Sequence, residues 1–157
     1  LPVLYIIENN MYGMGTSVDK ASAGSDLYKR GEAFDIPGEI VDGMNVFKVR
    51  EAAFKAAKHV RTLKKPYILE VQTYRYKGHS MSDPATYRSK KELDSYKTKD
   101  PIQVAKEEII KKKIASEKDL EKINQKIINK IKDAADFALK SPFPNHEELF
   151  TDVYLEQ

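Results

Sequence analysis

The run Val3-Leu4-Tyr5-Ile6-Ile7 constrains this chain more than any other feature, because consecutive apolar residues leave it no polar face. A continuous β-branched and aromatic run predicts a strand buried on both faces, as inside a parallel sheet. Such a strand needs neighbours and crossover helices, yet only Leu1-Pro2 stands before it, without an initiator Met. The expectation is a chain whose N-terminal part is missing. Further on, Val49, Ala53, Ala56, Val60 and Leu63 share one face at helical period, and Lys64-Lys65-Pro66 suit the end of that helix. Tyr67 to Tyr74 then reads as a second strand. Strand, loop, helix, strand is βαβ grammar and predicts an α/β fold with a parallel sheet.

The rest divides by periodicity. Residues 19–44 read as a long loop with a short helical turn, and Arg75 to Lys90, with Gly78 and Pro84, as a second long loop at the carboxyl end of the second strand. Pro101 to Ile114 and Ser116 to Leu139 are lysine-rich with helical spacing. Ser116 and Asp119 resemble a capping box, and Leu120, Ile123, Ile127, Ile131, Ala134 and Ala138 form one stripe, expected to pack on the sheet or on another subunit. The tail from Ser141 reads as an irregular strap with a last strand near Val153-Tyr154. The expected division is an α/β domain over 1–90 and a helical C-terminal extension with a strap over 91–157.

Composition excludes some functions. With 27 Lys+Arg against 24 Asp+Glu the formal charge is +3, which implies no nucleic-acid surface. No run approaches the roughly 18 apolar residues of a membrane span, so no membrane partner is expected either. Zero Cys removes disulfides and thiolate metal sites, and fits a reducing compartment.

The loop Glu8-Asn9-Asn10-Met11-Tyr12-Gly13-Met14-Gly15-Thr16-Ser17 follows the first strand at its carboxyl end, where open α/β sheets bind ligands. An Asn amide and turn carbonyls offer hard oxygens that suit Mg²⁺ or Ca²⁺, and glycines allow close backbone approach to a ligand. The same residues also describe a plain turn in which Asn is left-handed and Gly relieves strain. In the second loop His79 lies between Gly78 and Ser80, where an imidazole can donate to a phosphate or move a proton; by composition it is equally an exposed loop residue. His59 and His146 read as surface residues.

The words of these loops resemble a known family. Ile7 to Ser17 is similar to the end of the thiamin-diphosphate motif in alpha subunits of the pyruvate dehydrogenase E1 component, a family in which a Gly-Asp-Gly lies upstream of this Asn pair. Tyr28-Lys29-Arg30-Gly31, Pro37-Gly38, Val41-Asp42-Gly43-Met44, Gln72 to Tyr76, Gly78 to Pro84 and Tyr87-Arg88 look like further blocks in the same order. The resemblance runs from Leu1 to about Leu139 and lacks the Gly-Asp-Gly. It implies part of a thiamin-diphosphate-binding fold, with Asn10 ligating Mg²⁺ beside the cofactor diphosphate and the Tyr12 backbone carbonyl completing the metal site. Met14 would lie near the cofactor, and His79 would be the cofactor-binding and catalytic histidine of the active-site loop. Ser17 and Ser80 match serines modified by a dedicated kinase in mitochondrial relatives, or are simple loop hydrogen-bonders.

The activity so implied is decarboxylation of pyruvate and reductive acetylation of the lipoyl domain of an E2 component, in a hetero-oligomer with an E1 beta subunit that supplies a further Glu. The implied location is the bacterial cytoplasm, or the mitochondrial matrix of a eukaryote. Alternatives are an E1 alpha subunit for acetoin or a branched-chain 2-oxo acid, and a catalytically silent assembly module. This chain by itself is expected to be inactive.

Overall fold

The computed structural model describes residues 1–155. In chain order they form β1 (Leu4–Asn9), the short strands β2 (Tyr12–Gly13) and β3 (Thr16–Ser17), α1 (Val18–Ala21), a 3-10 segment Leu27–Phe34 and β4 (Gly38–Asp42). Then follow α2 (Val46–Leu63), β5 (Tyr67–Gln72), α3 (Lys90–Lys97), α4 (Pro101–Lys111), α5 (Glu117–Lys140) and a 3-10 segment His146–Phe150. The chain divides into two units, Leu1–Lys111 and Lys112–Gln157.

The first unit is built on a three-stranded parallel sheet in the order β1-β5-β4. Asn9 and Asp42 both pair with Gln72, so all three strands end at one level and their following loops leave from one edge. Helix α2 is the crossover between β4 and β5, and its Ala56 and Val60 pack with Tyr67 and Leu4 as the core. Its start is fixed by Asn45, whose Oδ1 accepts the N–H groups of Phe47 and Lys48 at 3.0 and 3.2 Å. Its end is a left-handed Lys64, φ 55°, whose N–H reaches the Val60 carbonyl.

Three sequence expectations need correction. β1 is an edge strand, paired with β5 alone, rather than one buried on both faces: Tyr5 and Ile6 are 51% and 63% exposed, because side chains stand perpendicular to the sheet and no described element covers these two. The expected loop over 19–44 contains β4, a strand that Pro37 and Gly43 disguise as turn sequence at either end. The tail forms a 3-10 segment at His146–Phe150 and no strand near Val153-Tyr154.

In the second unit the capping box is complete, since Ser116 Oγ accepts the Asp119 N–H at 3.3 Å and Asp119 Oδ2 accepts the Ser116 N–H at 3.2 Å. The stripe on α5 is exposed, with Ile123, Ile127 and Ile131 more than half accessible. No described helix is long and apolar enough to cross a membrane.

Candidate functional site

The carboxyl edge of the sheet is anchored by two buried polar side chains, Asn9 and Glu70. Asn9 Nδ2 donates to Glu70 Oε1 at 2.7 Å, and the other carboxylate oxygen accepts the Tyr28 N–H at 2.9 Å. Asn9 Oδ1 in turn accepts the Met11 N–H at 3.0 Å. A buried carboxyl group with both oxygens engaged is a fixed point, because losing either donor leaves a buried acceptor unsatisfied. It ties β1, β5 and the Leu27–Phe34 segment together directly beneath the loop that follows Asn9.

That loop is bent at Met11 and Met14, whose φ values of 70° and 55° lie in the left-handed region. Each costs about 1–2 kcal/mol for a residue with a Cβ. No glycine has a positive φ, so the plain-turn reading, with left-handed Asn and strain-relieving Gly, does not describe this segment. Gly13 serves differently: a Cβ built on it would meet only the Thr16 carbonyl, at 4.0 Å, leaving the backbone bare toward open space.

That open space is a cleft of about 470 Å³. The first loop contributes Asn10, Tyr12, Gly13 and Met14. The second contributes Arg75, His79, Tyr87 and Arg88. The three residues singled out from sequence, Asn10, Tyr12 and His79, thus line one cavity, and Met14 joins them. The two arginines and Tyr87 belong to words noticed in the sequence without a role, because their partners are set only by the folded loop.

The second loop is organised around Asp83. Its carboxylate accepts the N–H of His79 at 2.6 Å, the N–H of Ala85 at 2.8 Å and the Tyr87 hydroxyl at 2.9 Å. The His79 N–H, then that of Ala85, holds the Asp83 carboxyl below its ordinary range. Gly78 permits this closure by having no side chain, since a Cβ there would lie 2.7 Å from the Asp83 carbonyl oxygen. Arg88 supports the same loop from below, donating to the backbone carbonyls of Arg75 and Tyr76, with its guanidinium over the Tyr74 ring at 5.2 Å.

Arg75 Nη1 lies 3.2 Å from His79 Nδ1. A guanidinium can only donate, so Nδ1 is the acceptor and the proton of the neutral ring sits on Nε2. His79 itself is exposed. Behind the cleft, the Tyr12 and Tyr74 hydroxyls donate to Glu92. Burial, then the Glu92 carboxylate, pushes the Tyr12 hydroxyl up to about 12 and raises Tyr74 in the same way, so both remain donors at neutral pH.

The other candidates lie elsewhere. His59, expected at the surface, is partly buried against the Tyr67 ring at 5.0 Å. His146 is exposed in the last 3-10 segment. Ser80 Oγ pairs with Ser82 Oγ at 3.1 Å, and Ser17 precedes α1 without a side-chain cap bond.

The cleft suits an anion with hard oxygens. Arg75 and His79 can both donate to phosphate, no acidic residue lines the cavity, and Gly13 leaves room for close approach. Among the described residues Asn10 Oδ1 is engaged only by the Tyr12 N–H at a long 3.5 Å, which leaves a lone pair for a cation. Among the described residues no three His, Cys, Asp or Glu side chains cluster as a metal cage. A Mg²⁺ held here by Asn10 would need phosphate oxygens or other anionic ligands to balance its charge. A diphosphate carrying Mg²⁺ is a group that this donor set can accommodate.

Comparison with known proteins is consistent along the whole chain. The dehydrogenase E1 component family matches residues 1–147. The pyruvate dehydrogenase E1 component subunit alpha of Rickettsia bellii is 50% identical over 155 residues, which are 99% of this chain and 48% of that protein. The protein of the same name from Rhizobium meliloti is 50% identical over 156 residues, 99% of this chain and 45% of its own length. The mitochondrial subunit alpha of Sminthopsis macroura is 47% identical over 156 residues, covering 98% of this chain and 42% of itself. The chain spans about half the length of the curated relatives it matches.

Proposed function

The chain belongs to the dehydrogenase E1 component family, and from that premise we propose that the full-length protein is the alpha subunit of a pyruvate dehydrogenase E1 component. It acts with a beta subunit on pyruvate and passes the acetyl group to the lipoyl domain of an E2 component. The observation that carries this reading is the convergence of Asn10, Tyr12 and His79 on one cleft with Arg75. Bound there, thiamin diphosphate supplies the electron sink for loss of CO₂. Asn10, through its amide oxygen, and Tyr12, through its backbone carbonyl, would hold the Mg²⁺. Arg75 and His79 would hold phosphate oxygens, with the His79 Nε2–H as the donor that Arg75 keeps in place. Asp83 fixes the backbone of that histidine so that the donor stays aimed.

The experiment is a substrate panel on the full-length protein with its beta partner, in Mg²⁺ and thiamin diphosphate. Pyruvate is expected to be turned over in preference to acetoin and branched-chain 2-oxo acids. Preference for either of the others would replace the donor assignment, and no Mg²⁺-dependent turnover of any would remove the reading altogether.

A further inference from the structure

Helix α3 begins with Ser89-Lys90-Lys91-Glu92, the spacing of a capping box. Only half of that box forms. Ser89 Oγ accepts the Glu92 N–H at 3.1 Å, but the Glu92 carboxylate does not return to the Ser89 N–H. At the start of α5, Ser116 and Asp119 complete both halves. Glu92 is turned away from its own helix and accepts two tyrosine hydroxyls instead. Tyr12 donates to its two oxygens at 2.9 and 3.1 Å, and Tyr74 donates to Oε1 at 3.1 Å.

Those tyrosines come from different segments, Tyr12 from the loop after β1 and Tyr74 from the chain leaving β5. Tyr74 is itself immobilised, buried, stacked on Tyr96 at 4.0 Å and nearly parallel to it. By accepting both hydroxyls, Glu92 thus joins Tyr12 to a buried and stacked partner. Tyr12 stands between the left-handed Met11 and the bare backbone of Gly13, two residues from Asn10. A turn holding two strained residues keeps its shape only when its surroundings fix it; besides the Asn9 bond at its base, the Tyr12 side chain reaches out of it to Glu92 and to the Tyr87 ring, 5.4 Å away.

We infer that Glu92 is a positioning residue for the cleft: by holding the Tyr12 hydroxyl beside Tyr74 it fixes the Asn10 to Gly15 turn and the oxygen donors that the turn presents. The inference rests on the reading of that turn as a diphosphate and Mg²⁺ site, though its structural half does not depend on a ligand.

The test uses the full-length protein as wild type, Glu92→Ala, Tyr12→Phe and the double variant. Tyr12→Phe removes one hydroxyl and keeps the ring, so it serves should Glu92→Ala fold poorly. Without ligand, amide hydrogen exchange over residues 10–17 is expected to quicken roughly tenfold in either single variant, while β1 and β5 stay protected. Titration calorimetry with thiamin diphosphate and Mg²⁺ is expected to show roughly tenfold weaker binding in each, the size of a lost hydrogen bond to a charged group. The double variant is expected to match Glu92→Ala within about twofold, because both changes cut one tether. Uniform destabilisation with unchanged exchange at 10–17 and unchanged cofactor affinity would overturn the inference and leave Glu92 as a packing contact of α3 alone. Should the wild type bind no cofactor, the functional reading falls, and the ligand-free exchange still decides for or against the tether.

Discussion

Asp83 is the residue on which the geometry of His79 depends, and its ionisation sets a pH limit. Its folded-state carboxyl lies below the ordinary range because backbone N–H groups of His79 and Ala85 favour the charged form. Its contribution to loop order is therefore complete above the unfolded carboxyl value of about 3.9 and is lost as pH falls through the lower folded value. The His79 and Ala85 amide resonances are expected to titrate with a midpoint below about 3.9, and a midpoint at or above it would show that these bonds do not hold the carboxylate. Asn10 gives the second prediction at this scale. Asn10→Ala is expected to weaken Mg²⁺-dependent thiamin diphosphate binding more than tenfold, since a methyl cannot replace an oxygen ligand. Calorimetry showing unchanged affinity would remove Asn10 from the metal site. Asn10, Tyr12 and His79 were legible through the resemblance of whole words. Arg75, Arg88 and Glu92 were not, because their partners are a ring nitrogen, carbonyls and hydroxyls that only the folded loops bring near.

At the scale of elements, β1 and β5 declare themselves as runs of β-branched and aromatic residues, and α2 by an apolar face at helical period. β4 does not, since Gly38, Glu39 and Asp42 leave only Ile40 and Val41 to read as strand, and its pairing with β5 is decided by tertiary contact. α3 hides inside polar sequence for a similar reason: the side chains that anchor it, Glu92 and Tyr96, face partners from other segments. Two substitutions test the elements. Asn45→Ala removes the acceptor that starts α2 and is expected to cost about 1 kcal/mol of stability, seen as a lower midpoint in denaturant; no change would mean water replaces the cap at no cost. Gly78→Ala places a Cβ 2.7 Å from the Asp83 carbonyl oxygen. Opening of the loop is expected, read as faster amide exchange at residues 79–87 with β5 unaffected, whereas unchanged exchange would show that the loop yields without losing its bonds.

Across the whole molecule, every residue lining the cleft belongs to the unit Leu1–Lys111, and the exposed stripe of α5 belongs to the other. The cleft offers a cation amide and carbonyl oxygens but no lining carboxylate. The 157-residue chain alone is therefore expected to show no pyruvate decarboxylation, a point settled by a turnover assay in which measurable activity would contradict it. On the proposed function, the loops after β1 and β5 form one thiamin diphosphate site. The most direct test of this is amide hydrogen exchange of the full-length protein over residues 10–17 and 75–90, with and without thiamin diphosphate and Mg²⁺. Both segments are expected to gain protection together when cofactor and metal are added, and neither with the cofactor alone. Equal protection in all states, or protection confined to one loop, would contradict a shared site.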